Sequence, residues 1–141
     1  MHAASRNAKH EANLSRGLGC RVSPDRKRLT VFLLASHSGD MLGDFRANGA
    51  IAVVITLPST HRTVQLKGSD AAIEALRDED YIRIARNREG FVRELGSIGF
   101  PDKFAKLLLA GERGDVVAVG FTLTAAFNQT PGPTAGKPLG R

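Results

Sequence analysis

The sequence predicts a mainly β domain with inserted helices, its strands closing into a small barrel. Five or more short apolar or alternating segments are separated by turns rich in Gly, Pro and Asp. Apolar periodicity of the helical kind is confined to stretches lying between those strands. Length sets the bound: 141 residues at 42% hydrophobic content bury one core and not two.

Taken in order, residues 2–5 read as the remnant of a first strand and 6–11 as a turn. Strands follow at 12–22 and 28–35, joined by a turn at Pro24-Asp25. A helix covers 38–48, with Ser36 or Ser38 as N-cap and Gly49 closing it. The central strands run 50–57 and 62–69. The first of these, Ala50 to Leu57, is apolar at nearly every position, as expected of a strand buried on both sides. Across the second, Val64 and Leu66 share a face with Arg62, while His61, Thr63, Gln65 and Lys67 share the other. From Ser69-Asp70 the pattern turns helical, with Tyr81, Ile84, Ala85, Phe91, Val92 and Leu95 on one stripe and charged residues opposite. Pro101-Asp102 opens a short helix whose apolar face is Phe104, Leu107 and Leu108, and Gly111 ends it. Residues 115–123 form the last strand. The domain therefore spans 1–127, and 128–141 is a Pro/Gly-rich tail that cannot form regular structure on its own. That tail either frays or straps over a neighbouring surface, with Asn128 and Gln129 supplying hydrogen bonds.

Composition narrows the function classes. A single cysteine, Cys20, excludes an internal disulfide and a cysteine-based zinc site, and fits a reducing cytoplasm. The first ten residues lack the apolar stretch of a secretory signal, and the apolar runs at 29–35 and 50–57 are too short to cross a membrane. The four histidines, at 2, 10, 37 and 61, have no metal-ligand spacing. A net charge of +6 attracts anions, either nucleic acid or a phosphate-bearing cofactor. The basic N-terminal third lacks the aromatic residues that stack single-stranded bases, and no nucleic-acid-binding signature is present. Asp25-Arg-Lys-Arg28 follows Ser23-Pro24 and reads as a hairpin tip in water.

Two places carry candidate binding chemistry. The face bearing Thr63, Gln65 and Lys67 offers hydroxyl, amide and ammonium groups at alternate positions of a rigid strand, suited to a flat, hydrogen-bonding, anionic ligand. Arg16 lies between Leu14 and Leu18. In a regular strand it would share their apolar side with Cys20 and Val22 and require an anion; a bulge at Gly17 and Gly19 would instead turn it outward. His61 has no Ser or Cys motif to serve as a base and reads as a turn residue.

Arg62-Thr-Val-Gln-Leu-Lys-Gly68, after the apolar run, resembles the central strand pair of the pyridoxamine 5'-phosphate oxidase-like FMN-binding split barrels. Leu14 to Val22, Leu29 to Leu34 and Ser38 to Gly49 resemble the hairpin and helix that precede that pair, so the likeness covers roughly residues 5–70. The resemblance implies an FMN-binding split β-barrel, homodimeric, with redox chemistry, an unknown small-molecule substrate and flavin sites across the subunit interface. It places Arg16 at the FMN phosphate, and Thr60, Arg62, Thr63 and Gln65 along the flavin ring and ribityl chain. The chain departs from the family where a Ser-Arg-Lys triplet should open the helix, for Gly39-Asp40-Met41 stands there and an aspartate repels phosphate. Arg46, Arg62 or Lys67 would have to take that role, or FMN binding is weak or lost. Absence of Trp and of the usual substrate-binding ending argues against vitamin B6 oxidation. A cofactor-free dimeric binding module is the alternative from another class, and association with nucleic acid is a third that rests on charge alone.

Overall fold

A computed structural model describes residues 1–140. It is mainly β, with two antiparallel sheets and three α-helices. The strands are β1 (His2–Arg6), β2 (Ala12–Arg16), β3 (Gly19–Val22), β4 (Arg28–Leu34), β5 (Ile51–Leu57), β6 (Arg62–Gly68), β7 (Ala72–Glu74), β8 (Val116–Thr122) and β9 (Ala125–Asn128). The helices are α1 (Gly39–Asn48), α2 (Asp78–Ser97) and α3 (Asp102–Leu108). One sheet has the order β2-β1-β5-β6-β9 and the other β3-β4-β8-β7. The ladders run within these two sheets and do not close them into one barrel among the described residues. No helix among those residues is long and apolar enough to cross a membrane.

The chain passes from sheet to sheet at β2–β3, β4–β5, β6–β7 and β8–β9. The single strand expected at 12–22 breaks at Gly17-Leu18: β2 ends in the first sheet and β3 begins in the second. Gly17 N–H donates to the Met1 carbonyl at 3.1 Å and Leu18 N–H to the Phe32 carbonyl at 2.8 Å, so the two sides of the break pair with different sheets. Another corner, between β8 and β9, lies against Gly68. A Cβ at Gly68 would stand 2.5 Å from the Phe121 ring, which is why a glycine ends β6.

The main core fills the space between the sheets, with Leu29, Val31, Leu33, Val119 and Phe121 meeting Ala3, Ile51 and Val53, and Met41, Leu42 and Phe45 of α1 closing one side. A second cluster lies on the far side of the four-stranded sheet, where α2 covers Phe32, Leu34 and Ala118 with Ile84. This layering reverses one expectation. The strand buried on both faces is β4, from Leu29 to Leu34, and not β5. In β5, Ile51 and Val53 enter the core while Ala52, Val54 and Thr56 face outward, because no helix covers that side of the five-stranded sheet.

Other boundaries shift for local reasons. Helix α1 starts at Gly39 after Ser38 and ends at Asn48, capped by Gly49, which sits at φ 66° with no room for a Cβ beside the Ser69 carbonyl. Helix α2 starts eight residues later than the periodicity suggested. The segment before it pairs with β8 as β7, and Asp78, Glu79 and Asp80 then favour the positive helix end. Within its apolar stripe Ala85 is exposed. In α3 the face expected to be buried is largely free: Phe104 and Leu107 are exposed and Ala105 is the residue that packs. The tail forms structure by pairing. Phe127 bridges to Pro138, Asn128 N–H donates to the Lys137 carbonyl, and Leu139 N–H donates to the Ala126 carbonyl, which folds the segment back along β9.

Candidate functional site

Register decides which predicted residues share a face. Arg16 pairs with His2, His2 with Val54, Val54 with Gln65 and Gln65 with Phe127, forming one row across the outer face of the five-stranded sheet. The adjacent row is Leu14, Ala4, Ala52, Lys67 and Ala125. On the other side Thr56 pairs with Thr63, and their hydroxyls lie 3.0 Å apart. The alternation read from the sequence therefore holds for β6: Thr63, Gln65 and Lys67 point outward, and Val64 and Leu66 point inward.

Arg16 does not share a buried apolar side with Leu18, Cys20 and Val22. The corner at Gly17 turns it outward beside Leu14, which is 68% exposed, while Leu18 is buried in the other sheet and Val22 is exposed. The arginine that lies on a buried face is Arg21. Its guanidinium holds the fully buried Asp80 carboxylate, and Nη2 reaches Glu74 Oε2 at 3.3 Å. Asp80 also accepts from the Arg77 backbone N–H at 3.0 Å, so one carboxylate both caps α2 and ties it to β3. Burial pushes the Glu74 carboxyl up, but hydrogen bonds from Arg28 and Thr30 and the charges of Arg28 and Arg21 together hold it below its ordinary value.

The other predicted residues spread out. Thr60 and His61 lie exposed in the β5–β6 turn, with His61 at φ 57°. Arg62 is exposed at the start of β6, in register with Leu57. Lys67 is exposed and sits 5.0 Å from the centroid of the Phe127 ring. Three strand spacings of ~4.8 Å put the Arg16 strand roughly 14 Å from β6, so Arg16 and Gln65 share a row without touching. Arg46 is in the last turn of α1, away from the end where Ser38 Oγ meets Ser15 Oγ at 2.8 Å beside Arg16. At that nearer end Asp40 is exposed, and Met41 is in the core.

Arg16 also borders a cleft of about 460 Å³ between the ends of β2 and β5 and helix α2. Its floor is apolar, with Ile55, Leu57, Phe91 and Leu109, and its polar rim carries Thr56, Arg86, Asn87 and Arg93. Asn87 is held by a 2.8 Å bond from Nδ2 to the Leu18 carbonyl. Glu94 is the acidic residue of the lining, and it already accepts from Ser59 Oγ at 2.6 Å and Ser59 N–H at 3.2 Å. Among the described residues Arg16, Arg86 and Arg93 have neither an ion-pair nor a hydrogen-bond partner. The local field is accordingly positive. His2, next to Arg16, has its pKa lowered by burial and then by the positive charges of the chain's amino group and of Arg16. The α2 arginines were missed in the sequence because the face opposite a helix's apolar stripe reads as solvated; their i, i+7 spacing, two turns apart on one side, was the available signal.

No protein-family signature matches this sequence, and neither does any curated protein. Solved structures do. HupZ of Group A Streptococcus aligns with a TM-score of 0.52 at 17% identity, over 96% of this chain and 88% of that one. A Lactobacillus delbrueckii protein assigned provisionally as a pyridoxamine 5'-phosphate oxidase aligns at 0.51 and 15% identity, over 89% and 81%. A pyridoxamine 5'-phosphate oxidase-related, FMN binding protein of Nostoc punctiforme aligns at 0.50 and 10%, over 94% and 75%. At such identities the backbone is what is shared. Two of these three neighbours bear pyridoxamine 5'-phosphate oxidase descriptions, one of them as an FMN binding protein, and this chain shares the fold of all three.

Proposed function

We propose that the protein is a split-barrel flavoprotein that binds FMN in a homodimer and serves as an oxidoreductase. The observation that carries the reading is Arg16, an unpartnered guanidinium in a positive field, in one sheet row with Gln65 and bordering the same cleft as Thr56. A phosphate dianion answers the first feature, because charge-assisted bonds to guanidinium are the strongest a neutral-pH site offers. The hydroxyls of Thr56 and Thr63 and the Gln65 amide suit the hydrogen-bonding edge of a flavin ring. The donor set fits the group through a single cation, since the first turn of α1 presents Asp40. When bound, FMN supplies one- or two-electron transfer; the protein's part is to hold the phosphate, orient the ring and keep water from it.

Arg16→Ala should weaken FMN by about tenfold or more, the equivalent of losing a charged hydrogen bond, and leave riboflavin nearly unchanged. Fluorescence titration of both flavins checks it. Equal loss of the two would mean that Arg16 does not hold the phosphate, and no flavin binding by the wild-type chain would favour a cofactor-free binding module. Arg26→Ala with Lys27→Ala should leave FMN affinity unchanged, because both side chains are exposed at the hairpin tip. Arg28 is left in place in that variant because it bonds Glu74 at 2.8 Å.

A further inference from the structure

The α2 wall of the cleft has a composition that the flavin reading does not use. Arg86, Gly90 and Arg93 are spaced i, i+4 and i+7 and so lie on one side of the helix, with Asn87 and Glu94 beside them. Seven residues at ~1.5 Å rise separate the two arginines by roughly 10 Å along the axis, with Gly90 between them. Glycine is the poorest helix former after proline, and here backbone geometry does not demand it. Gly90 has no positive φ, and a Cβ there would meet only Arg93 Nη2, at 3.8 Å. The missing side chain leaves bare helix backbone facing the cleft between two unpartnered cations. Below this rim the floor is Ile55, Leu57, Phe91 and Leu109.

Resting on the flavoprotein reading, we infer that this wall is the substrate subsite and that the substrate is an organic acid with a flat or extended apolar body. The body lies over Gly90 on the Phe91 and Leu109 floor, where a side chain at position 90 would exclude it. The carboxylate is held at the rim by Arg86 and Arg93. Glu94 keeps its negative charge, but its carboxylate is turned to Ser59, and the three arginines of the lining outnumber it. Thr56 lies both in this cleft and against Thr63 of the flavin-facing row, so a molecule in the subsite is next to the proposed ring position. A wholly polar anion would leave the floor wet, and a neutral apolar molecule would gain nothing from the two guanidinium groups, which are exposed to water.

The probes are 1-naphthoate and its neutral isostere 1-naphthamide, measured by calorimetry on the full chain with and without saturating FMN. Wild-type protein should prefer naphthoate by about tenfold, the scale of one charge-assisted hydrogen bond. Arg86→Gln with Arg93→Gln should abolish that preference and change FMN affinity less than threefold. Gly90→Leu should weaken both probes about tenfold or more while the melting temperature holds or rises, since leucine is the better helix former and a misfolded protein would melt earlier. Equal binding of the two probes by wild type overturns the subsite, as does loss of the preference in Arg16→Ala with its retention in the α2 double variant. Loss of FMN and naphthoate together in the double variant would assign the α2 arginines to the flavin phosphate and also overturn it. Naphthoate preference carried by Arg86 and Arg93 without any FMN binding would uphold the anion site and sink the flavoprotein reading instead.

Discussion

Arg21 and Asp80 show how one residue identity sets the placement of a whole wall of the cleft. Asp80 is the first-turn carboxylate of α2, it is 0% exposed, and it is met by a guanidinium from β3. Removing one partner of such a pair leaves an uncompensated charge in the interior, so Arg21→Ala should cost about 3–5 kcal/mol of stability. Replacing both, as Arg21→Met with Asp80→Leu, should recover most of that loss. Urea denaturation of the three proteins checks the ordering, and a double variant no more stable than Arg21→Ala would refute the buried-charge account. The sequence could not separate this arginine from Arg16. Both sit among small and apolar neighbours within one to four residues of Gly17 and Gly19, and only the corner at Gly17-Leu18 decides which faces in. The polar alternation of Thr63, Gln65 and Lys67 was legible because β6 is regular throughout.

At the scale of elements, regular segments with a full apolar pattern were readable and short paired ones were not. Helix α1, between Ser38 and Gly49, and strands β4 to β6 fall close to where turn residues and periodicity place them. Strand β7 has only three residues, and Ile73 within it is exposed, so it exists because β8 offers a free edge. Strand β9 and the tail are likewise made by their partners. Thr63 N–H donates to Thr130 Oγ1 at 3.0 Å, Gln129 N–H donates to the Thr63 carbonyl at 2.8 Å, and Lys137 and Leu139 pair back on β9. Truncation after Gln129 should therefore accelerate amide hydrogen exchange at Thr63 and Asn128 and leave Val53, in the sheet centre, protected. Uniform acceleration would mean the tail supports the entire fold, and no change would mean it does not pair in solution. Proline and glycine content reports what a segment does alone, and this one is not alone.

Acidity acts on the molecule as a whole. Asp44 is lowered by the hydrogen bonds from Ser5 and Asn13, and Asp115 by those from Ser36. Asp70 and Glu74 end below their ordinary values despite burial that pushes them up. A carboxyl depressed in the folded state contributes stability above its unfolded pKa and loses it as pH falls through the folded one. The fall should thus steepen below the ordinary values of 4.5 for Glu74 and 3.8 for the aspartates. His2 adds a shallower decline that begins below 6.5, because the unfolded chain takes up that proton first. Urea midpoints measured against pH should show both slopes, and His2→Asn should reduce the upper one without touching the lower, the remainder belonging to the chain's amino group, which burial also lowers from 8.0. The outer sheet face makes the last whole-molecule demand. Leu14 is exposed, and Ala4, Ala52, Val54, Ala125 and Phe127 are only half-buried, in rows that a single chain leaves open. Four strand spacings of ~4.8 Å by five residues of ~3.4 Å give that face roughly 330 Å². A stable dimer buries about 800 Å² per subunit, so in the proposed dimer a second copy would have to cover the tail and the rim of the cleft as well. Such coverage would enclose Arg16 and give the proposed phosphate site its dry side. Sedimentation should report twice the 15.1 kDa chain mass, and Val54→Lys, a charge in the middle of the face, should yield a monomer with FMN affinity lost alongside. A wild-type monomer that binds FMN tightly would show that one chain completes the site, and the dimer would have no part in it.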